Sequence, residues 1–160
     1  MKKNGKETTS FYEPDFSLTA RIVFRITLAV VALFSLVVSR FSVKGKENLK
    51  KLKGKGALLV SNHTLYLDPA LISLAISPRR TCFTAMEETF LIPVIGKYIR
   101  LLGAFPVSEH MPMSLLIRSV KKALSHRWFV HFFPEGELIH LDHHIREFKP
   151  GAFFLASLLN

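Results

Sequence analysis

The apolar residues of this chain form one long block near the amino terminus and several short blocks after it. The long block runs from Leu18 to Phe41 and holds 14 consecutive uncharged residues between Arg25 and Arg40, which is typical of a helix. Four later blocks are short and apolar, which predicts buried strands at 56–62, 80–85, 103–107 and 128–133. Amphipathic or capped stretches predict helices at 68–77, 91–102, 112–126 and 150–159, and a polar loop at 134–149.

Strands that alternate with helices predict an α/β fold, in which a mixed, mostly parallel sheet is flanked by helices. In such sheets, ligands bind beyond the carboxyl ends of the strands. We therefore expect the chemistry in three segments that follow predicted strands, at 61–68, 108–109 and 134–137.

The long apolar block predicts contact with a membrane. A helix over its 14 uncharged residues rises ~21 Å, whereas the hydrocarbon core of a bilayer is ~30 Å thick. If Arg21, Arg25 and Arg40 reach toward the lipid headgroups, about 20 residues become usable, so the segment either spans the membrane or lies in it. A buried core helix is the alternative. A secretory signal is not predicted, because the block starts late and no small-residue cleavage site follows it.

The charge of the chain supports the membrane interpretation. The net charge is +10, and residues 1–55 hold twelve Lys or Arg against four Asp or Glu, whereas residues 56–160 hold ten against eight. Seven of the basic residues lie between positions 40 and 55, next to the apolar block, as expected for contact with an anionic membrane leaflet. No aromatic residues are interleaved with these lysines for base stacking, so we predict membrane lipids and no nucleic acid as partners.

The composition excludes further classes of protein. With 49% hydrophobic residues, the chain is too apolar to be intrinsically disordered. A single cysteine, Cys82, excludes an internal disulfide framework and a multi-cysteine zinc site, and its place on a predicted strand favours a small buried group over a nucleophile. We divide the chain into a polar, loosely held arm at 1–16, a membrane-associated helix with its polybasic segment at 17–55, and a folded domain at 56–160.

Two polar motifs follow predicted strands. In the first, His63 and Asp68 are five residues apart, so that Asp68 could fix the imidazole tautomer and leave the other ring nitrogen to accept a proton from a hydroxyl. The alternative is that Asp68 only caps the helix that begins at Pro69. In the second, Pro134, Glu135 and Gly136 form a turn that either presents a carboxylate or simply ends a strand.

The order and spacing of these motifs resemble the glycerolipid acyltransferase family, in particular the bacterial 1-acylglycerol-3-phosphate acyltransferases. The resemblance covers about two-thirds of the chain, from Val43 to the Phe-Lys-Pro-Gly sequence that ends at Gly151. Its specific elements are the His-x4-Asp motif and the Phe-Pro-Glu-Gly motif at 133–136, supported by a Gly-x-Phe-x-Val sequence at 103–107.

The resemblance implies a function and a set of site residues. His63 is similar to the family's general base and Asp68 to its orienting partner, while a fatty acyl group would pass from a coenzyme A or acyl carrier protein thioester to the hydroxyl of a (lyso)glycerophospholipid-type acceptor. The family implies phospholipid biosynthesis at the cytoplasmic face of the cell membrane, without metal or cofactor. The residues that match its substrate-binding motifs are Asn62, Gly103, Phe105, Pro134, Glu135, Gly136 and Lys149.

The chain departs from the family pattern at three places. Glu109 stands where the family has an arginine for the acceptor phosphate, and Glu137-Leu138 replaces a second arginine-bearing segment. Either Arg100, Arg118 or Lys149 compensates, or the acceptor lacks a phosphate at this point. The family's Val-Pro strand is also absent, which predicts a domain that is incomplete at its carboxyl end. The alternative function is a catalytically degenerate or fragmentary lipid-binding paralogue.

A histidine-rich stretch at 140–144 has the composition of a metal site but no matching second cluster of ligands. We interpret it as a polar loop.

Overall fold

The structure is a computed structural model that describes residues 11–35, 37, 40–108, 110–142 and 144–159. Its strands are β1 (Ala57–Val60), β2 (Thr81–Met86), β3 (Ala104–Val107) and β4 (Phe129–Phe132). Its α-helices are α1 (Leu18–Phe34), α2 (Asp68–Ala75), α3 (Ile95–Leu101), α4 (Met113–Ser125) and α5 (Gly151–Leu159). Two 3-10 helices lie at Lys46–Leu52 and Glu87–Leu91.

The four strands form one sheet in the order β1-β4-β2-β3. All three strand pairings are parallel among the described residues, so the expected α/β class is confirmed and the sheet is parallel rather than mixed. Because parallel strands point the same way, the loops after β1 and β4 leave from the same edge, side by side.

The core lies between the sheet and the helices that follow β3 and the polar loop. Phe105, Val130 and Cys82 of the sheet pack with Val120 of α4 and Leu155 of α5. Cys82 is fully buried, as expected for a small structural group, and burial raises the pKa of its thiol to about 12.

The predicted helix at 91–102 begins later than expected. Residues Glu87–Leu91 form a 3-10 turn, and α3 begins only at Ile95. Pro93 explains the break, because its ring disfavours a helical conformation in the preceding residue. Val94 then takes a φ of 68°, in the left-handed region, directly before the helix.

Residues 11–16, part of the segment expected to be a loosely held arm, contact the rest of the fold. The Arg100 guanidinium donates a hydrogen bond to the Phe11 carbonyl at 3.0 Å, and Glu13 forms ion pairs with Arg118 and Lys122 of α4. The Phe16 ring lies 4.5 Å from the Trp128 ring, centroid to centroid. The first ten residues lie outside the described part of the chain.

Helix α1 covers the fold with one face and exposes the other. Ala20 and Phe24 are buried, and the helix packs against α2 and α3. The opposite face presents apolar side chains that are at least half exposed, namely Leu18, Ile22, Ile26, Val30 and Leu33. Within the described residues, we find no helix whose length and apolar character would let it cross a bilayer.

Candidate active site

The two polar motifs meet at one edge of the sheet because their strands are paired in register. Val60 of β1 lies opposite Phe132 of β4. His63 and Glu135 each come three residues after their member of that pair. The His63 backbone N–H donates a hydrogen bond to Glu135 Oε2 at 3.1 Å, so the parallel register places both motifs in one site.

The His63 imidazole is held at its edge and on its face. Its Nδ1 lies 3.0 Å from Asp68 Oδ2, and its ring stacks on Phe133 with centroids 3.8 Å apart and planes 15° from parallel. The Asp68 carboxylate accepts a hydrogen bond from Nδ1–H, which leaves Nε2 as the ring nitrogen that can accept a proton. His63 also lines a cavity, and its side chain is 18% exposed.

Asp68 does not cap helix α2. It is the first residue of the helix, the N-cap position is Leu67, and no side chain makes the cap hydrogen bond. Its Oδ2 instead accepts hydrogen bonds from the Thr64 and Leu65 backbone N–H groups at 2.7 and 2.9 Å. The loop therefore orients Asp68 toward His63, and the interpretation as a mere helix cap is wrong.

Glu135 is a buried carboxylate that joins three segments of the chain. Its side chain is 1% exposed, and Oε2 accepts from Arg146 Nη2 at 2.7 Å as well as from the His63 N–H. Its Oε1 accepts from the Arg146 backbone N–H at 3.3 Å. Burial acts to raise the pKa of this carboxyl, but the N–H groups of His63 and Arg146 and the guanidinium charge hold it below its ordinary value.

Arg146 is a site residue that sequence reasoning missed. Its guanidinium also donates to Glu137 Oε1 at 3.0 Å and lies 3.8 Å from Asp142 Oδ2. It is the one arginine in a predicted loop that carries four acidic residues, Glu135, Glu137, Asp142 and Glu147. That local imbalance of charge is the signal that could have identified it.

Gly136 and Lys149, which match two different motifs of the family, lie close together in the structure. Gly136 has a φ of 80°, and the Lys149 Nζ atom lies 2.6 Å from the position that a Cβ at Gly136 would occupy. The Lys149 backbone N–H donates to the Pro134 carbonyl at 2.8 Å. The left-handed backbone favours a glycine here, and the missing Cβ leaves room for the lysine side chain.

The structure does not bring Gly103 and Phe105 to this edge. Gly103 immediately precedes β3, so it lies at the amino end of the sheet, where it is buried against Thr81 and Cys82. Phe105 is fully buried in the core. Asn62 lies in the loop after β1 with an exposed side chain, and Pro134 is buried beneath the turn.

A cavity of about 590 Å³ opens beside His63. The lining is predominantly apolar and includes Phe24 and Leu28 of α1, Ala70 of α2 and Ala85 of β2. His63, Phe133 and Gly136 line it too, as does Tyr66, which is 81% exposed. The arrangement combines one proton acceptor with an apolar space of the size of a small-molecule site.

A second histidine lies beneath the site. His131 of β4 is 1% exposed, and its ring lies 4.5 Å from Phe133 and 5.5 Å from Phe83, centroid to centroid. Burial, and to a lesser degree the nearby His63, lower the pKa of His131 to about 4. Its Nδ1 has no hydrogen-bond partner within the described part of the chain, so it is a neutral packing group.

Two of the three basic residues named as possible replacements for the missing phosphate ligands make contacts elsewhere in the fold. Arg100 stacks on Phe11 and Phe90, and Arg118 pairs with Glu13. Glu109 and His143 lie outside the described residues. In the described part of the 140–144 stretch, Asp142 pairs with His144 and Arg146, and no metal-binding group is found among the residues that the structure describes.

Comparisons with known proteins identify the family of this chain. The model of the Acyltransferase family matches residues 40–160. The chain is 30% identical over 103 residues to a 1-acyl-sn-glycerol-3-phosphate acyltransferase of Streptococcus pneumoniae, covering 63% of this chain and 37% of that protein. It is 32% identical over 121 residues to a chloroplastic enzyme of the same name from Arabidopsis thaliana, covering 74% and 33%.

A third similar protein is the 1-acyl-sn-glycerol-3-phosphate acyltransferase of Bacillus subtilis, 28% identical over 116 residues, with coverage of 72% of this chain and 56% of that protein. The chain thus spans between about a third and just over half of the length of these relatives. The family match covers most of the chain and includes both motifs that form the site. This chain therefore belongs to the Acyltransferase family.

Proposed function

We propose that this chain is a membrane-associated O-acyltransferase of phospholipid biosynthesis. It transfers a fatty acyl group from an acyl-CoA or acyl carrier protein thioester to a hydroxyl of a (lyso)glycerophospholipid-type acceptor. The observation that carries the proposal is the His63 ring, held by Asp68 and Phe133 beside an apolar cavity. The names of the similar proteins support the class of acceptor.

The proposed reaction uses His63 as a proton shuttle. Nε2 accepts the proton of the acceptor hydroxyl while the hydroxyl oxygen attacks the thioester carbonyl. When the carbon–sulfur bond breaks, the proton on Nε2 passes to the leaving thiolate. Asp68 holds Nδ1–H throughout and stabilises the imidazolium that forms between the two transfers. The thioester supplies the activated acyl group, so the reaction as proposed needs no metal or cofactor.

The apolar cavity is proposed to receive the acyl chain. Its lining from α1, α2 and β2 is predominantly apolar, whereas His63 and Gly136 lie where the reacting carbonyl would be placed. An acyl chain gains about 0.8 kcal/mol for each methylene group that it buries. Burial of the acyl chain would therefore help to bind the thioester donor and orient the thioester carbonyl toward His63.

Helix α1 is proposed to lie in the membrane interface at the cytoplasmic face. Its exposed stripe from Leu18 to Leu33 is apolar, and the basic segment at 40–55 follows it. An exposed apolar stripe is costly in water and is covered when it contacts lipid, while the lysines attract anionic headgroups. Phe24 and Leu28 of the same helix line the cavity, so a lipid substrate would enter from the membrane side.

The test is a thioester consumption assay with detection of the released thiol. The purified chain is mixed with phospholipid vesicles, acyl-CoA, and acceptors with and without a phosphate group. We expect His63→Ala to lower acyl transfer by at least about 10³-fold, because it removes the proton acceptor. His144→Ala is the matched control, because that side chain is 93% exposed and lies outside the cavity lining.

The outcomes separate the proposal from its alternative. Equal thiol release by the chain and by His63→Ala would contradict the mechanism. Vesicle binding without any thiol release would favour a degenerate lipid-binding paralogue. Equal rates with phosphate-bearing and phosphate-free acceptors would show that the replacements at 109 and 137–138 have changed the acceptor.

A further inference from the structure

The polar loop at 134–149 supplies a cation to the site from outside both sequence motifs. Arg146 is 20% exposed and contacts Glu135, whose side chain is 1% exposed. A buried carboxylate that loses its cation is left with a large desolvation cost. The Arg146–Glu135 pair is therefore different in kind from an exposed ion pair at the protein surface.

Glu135 transmits this contact to the histidine. The same Oε2 atom accepts from Arg146 Nη2 at 2.7 Å and from the His63 N–H at 3.1 Å. Asp68 fixes the imidazole ring, but Glu135 fixes the backbone of the same residue. The position of His63 thus depends on a carboxylate that is itself held by Arg146.

We propose that Arg146 is a positioning residue for the His63 base, acting through Glu135. The proposal rests on the proposed acyl transfer only for its effect on rate, since the positioning itself is a property of the fold. Arg146 anchors Glu135 with its guanidinium and with its backbone N–H, and Glu135 holds the loop after β1 at the cavity.

The charged groups around this linkage determine how it responds to pH. Arg146 is faced by Glu135, Glu137 and Asp142. His144 pairs with Asp142 at 3.2 Å. With these carboxylates ionised, the guanidinium is held from several sides and the linkage is complete.

Other charged or titratable groups near Glu135 and His63 come from other parts of the fold. Lys149 lies over Gly136, next to Glu135 in the chain. Asp68 faces His63 from the start of α2, and His131 lies beneath both loops in β4. Loss of Arg146 removes the cation that contacts Glu135 directly, so Glu135 would take up a proton at a higher pH than in the unaltered protein.

The first experiment measures amide hydrogen exchange at residue 63 by NMR, which needs no enzymatic activity. We expect Arg146→Ala to raise the exchange rate of the His63 amide by about tenfold or more, since its acceptor is no longer anchored. Arg118→Ala is the matched control, because Arg118 pairs with Glu13 away from the cavity. Unchanged exchange at His63 in Arg146→Ala would overturn the proposal, whether or not the chain transfers acyl groups.

The second experiment measures the pH profile of kcat. We expect Arg146→Ala to lower kcat by about 10- to 100-fold with little change in KM for the thioester, and to move the acid limb of the profile to higher pH. In a protein that already carries Glu135→Gln, Arg146→Ala should lower kcat by less than about threefold. It should leave the acid limb of the pH profile in place, because the carboxylate is gone. Additive losses in the double variant would overturn the proposal.

A third variant guards against simple misfolding. Arg146→Lys keeps one positive charge near Glu135 but loses the planar guanidinium. We expect it to restore part of the kcat and most of the His63 amide protection. If Arg146→Lys behaves like Arg146→Ala in both measurements although both variants keep native circular dichroism, the proposed linkage is wrong. An unaltered chain without thiol release would contradict the proposed function alone.

Discussion

The loop after β1 and the loop after β4 build the same site in different ways. In the first, Asp68 accepts hydrogen bonds from backbone N–H groups only three and four residues away, and its partner His63 is five residues away. In the second, Glu135 binds groups that are 72 and 11 residues away. The first loop is a local structure, whereas the second depends on the packing of distant segments.

This difference indicates where each loop is vulnerable. The His63–Asp68 unit is organised within one short segment, so substitutions there should affect chemistry more than stability. The Glu135 side chain is buried and links three segments of the chain, so its substitution should affect the fold as well. Four predictions test this contrast, beyond the experiments on His63 and Arg146.

The largest effect is expected for Asp68→Asn. The amide keeps the size of the side chain but favours the wrong imidazole tautomer, so kcat should fall by about 10²- to 10⁴-fold. Steady-state thiol release checks this. Asp15→Asn is the control, because Asp15 also accepts a backbone N–H, from Ser17, but lies outside the site. If Asp68→Asn retained the full rate, the local unit would not be catalytic.

The next effect concerns acid stability. Folding lowers the pKa of His131 from 6.5 to about 4, so the unfolded chain binds a proton between these values and the folded protein does not. Above pH 6.5, His131 is neutral in both states and does not change the free energy of unfolding. As the pH falls toward 4, protonation of the unfolded chain lowers the free energy of unfolding by roughly 3 kcal/mol. We expect His131→Leu to remove this loss, measured as urea unfolding at several pH values.

The control for this measurement is His144→Leu, since the His144 side chain is 93% exposed. Folding lowers the pKa of Glu135. The stabilisation that this carboxylate contributes is therefore present above pH 4.5, the ordinary pKa of a glutamate, and is lost only below that pH. Loss between pH 6.5 and 4.5 that persists in His131→Leu would show that another group controls acid sensitivity.

A smaller effect is expected for Gly136→Ala. An alanine at a φ of 80° is strained by about 1 kcal/mol, and its Cβ would also displace the Lys149 side chain. Gly54→Ala is a matched control, because Gly54 has a φ of 82° and nothing within 4 Å of the added Cβ. Thermal unfolding should show a greater loss for Gly136→Ala than for Gly54→Ala. Equal losses would mean that the close approach of Lys149 contributes nothing.

The smallest effect is expected for Glu137→Gln. Glu137 binds the same guanidinium as Glu135, but its side chain is 70% exposed, so its ion pair should contribute less than about 1 kcal/mol. Thiol release should change by less than about threefold, whereas Glu135→Gln should lower it further. A larger loss at position 137 than at 135 would reverse the assignment of roles within the loop.

The site was predictable to the extent that it is local. The His63 and Asp68 motif, the Pro-Glu-Gly turn and the ends of their strands could be identified from short segments, because strand and turn preferences act over a few residues. Gly136 and Lys149 were named from the family resemblance, but their close approach is visible only in the structure. Gly103 was harder to interpret, since a residue just before a strand lies at the opposite end of a parallel sheet from the site.

Arg146 and the cavity could not be found in this way. Arg146 lies in a loop without periodicity, and its importance comes from a carboxylate that is buried only in the folded protein. The cavity combines α1, at 18–34, with α2 and β2, which lie between 68 and 86. The packing of residues 11–16 on the domain similarly depends on surfaces of α3 and α4 that form only on folding.

The sequence by itself determined the alternation of strands and helices, the paired His63 and Asp68, and the basic, apolar character of the amino-terminal third. These are properties of neighbouring residues, whose hydrogen bonds and side-chain patterns extend over a few positions. Only the tertiary structure decided that Val60 pairs with Phe132, so that His63 and Glu135 lie side by side. Strand register is a long-range choice set by burial of the whole sheet, and Arg146 acquires its partner only after that choice is made.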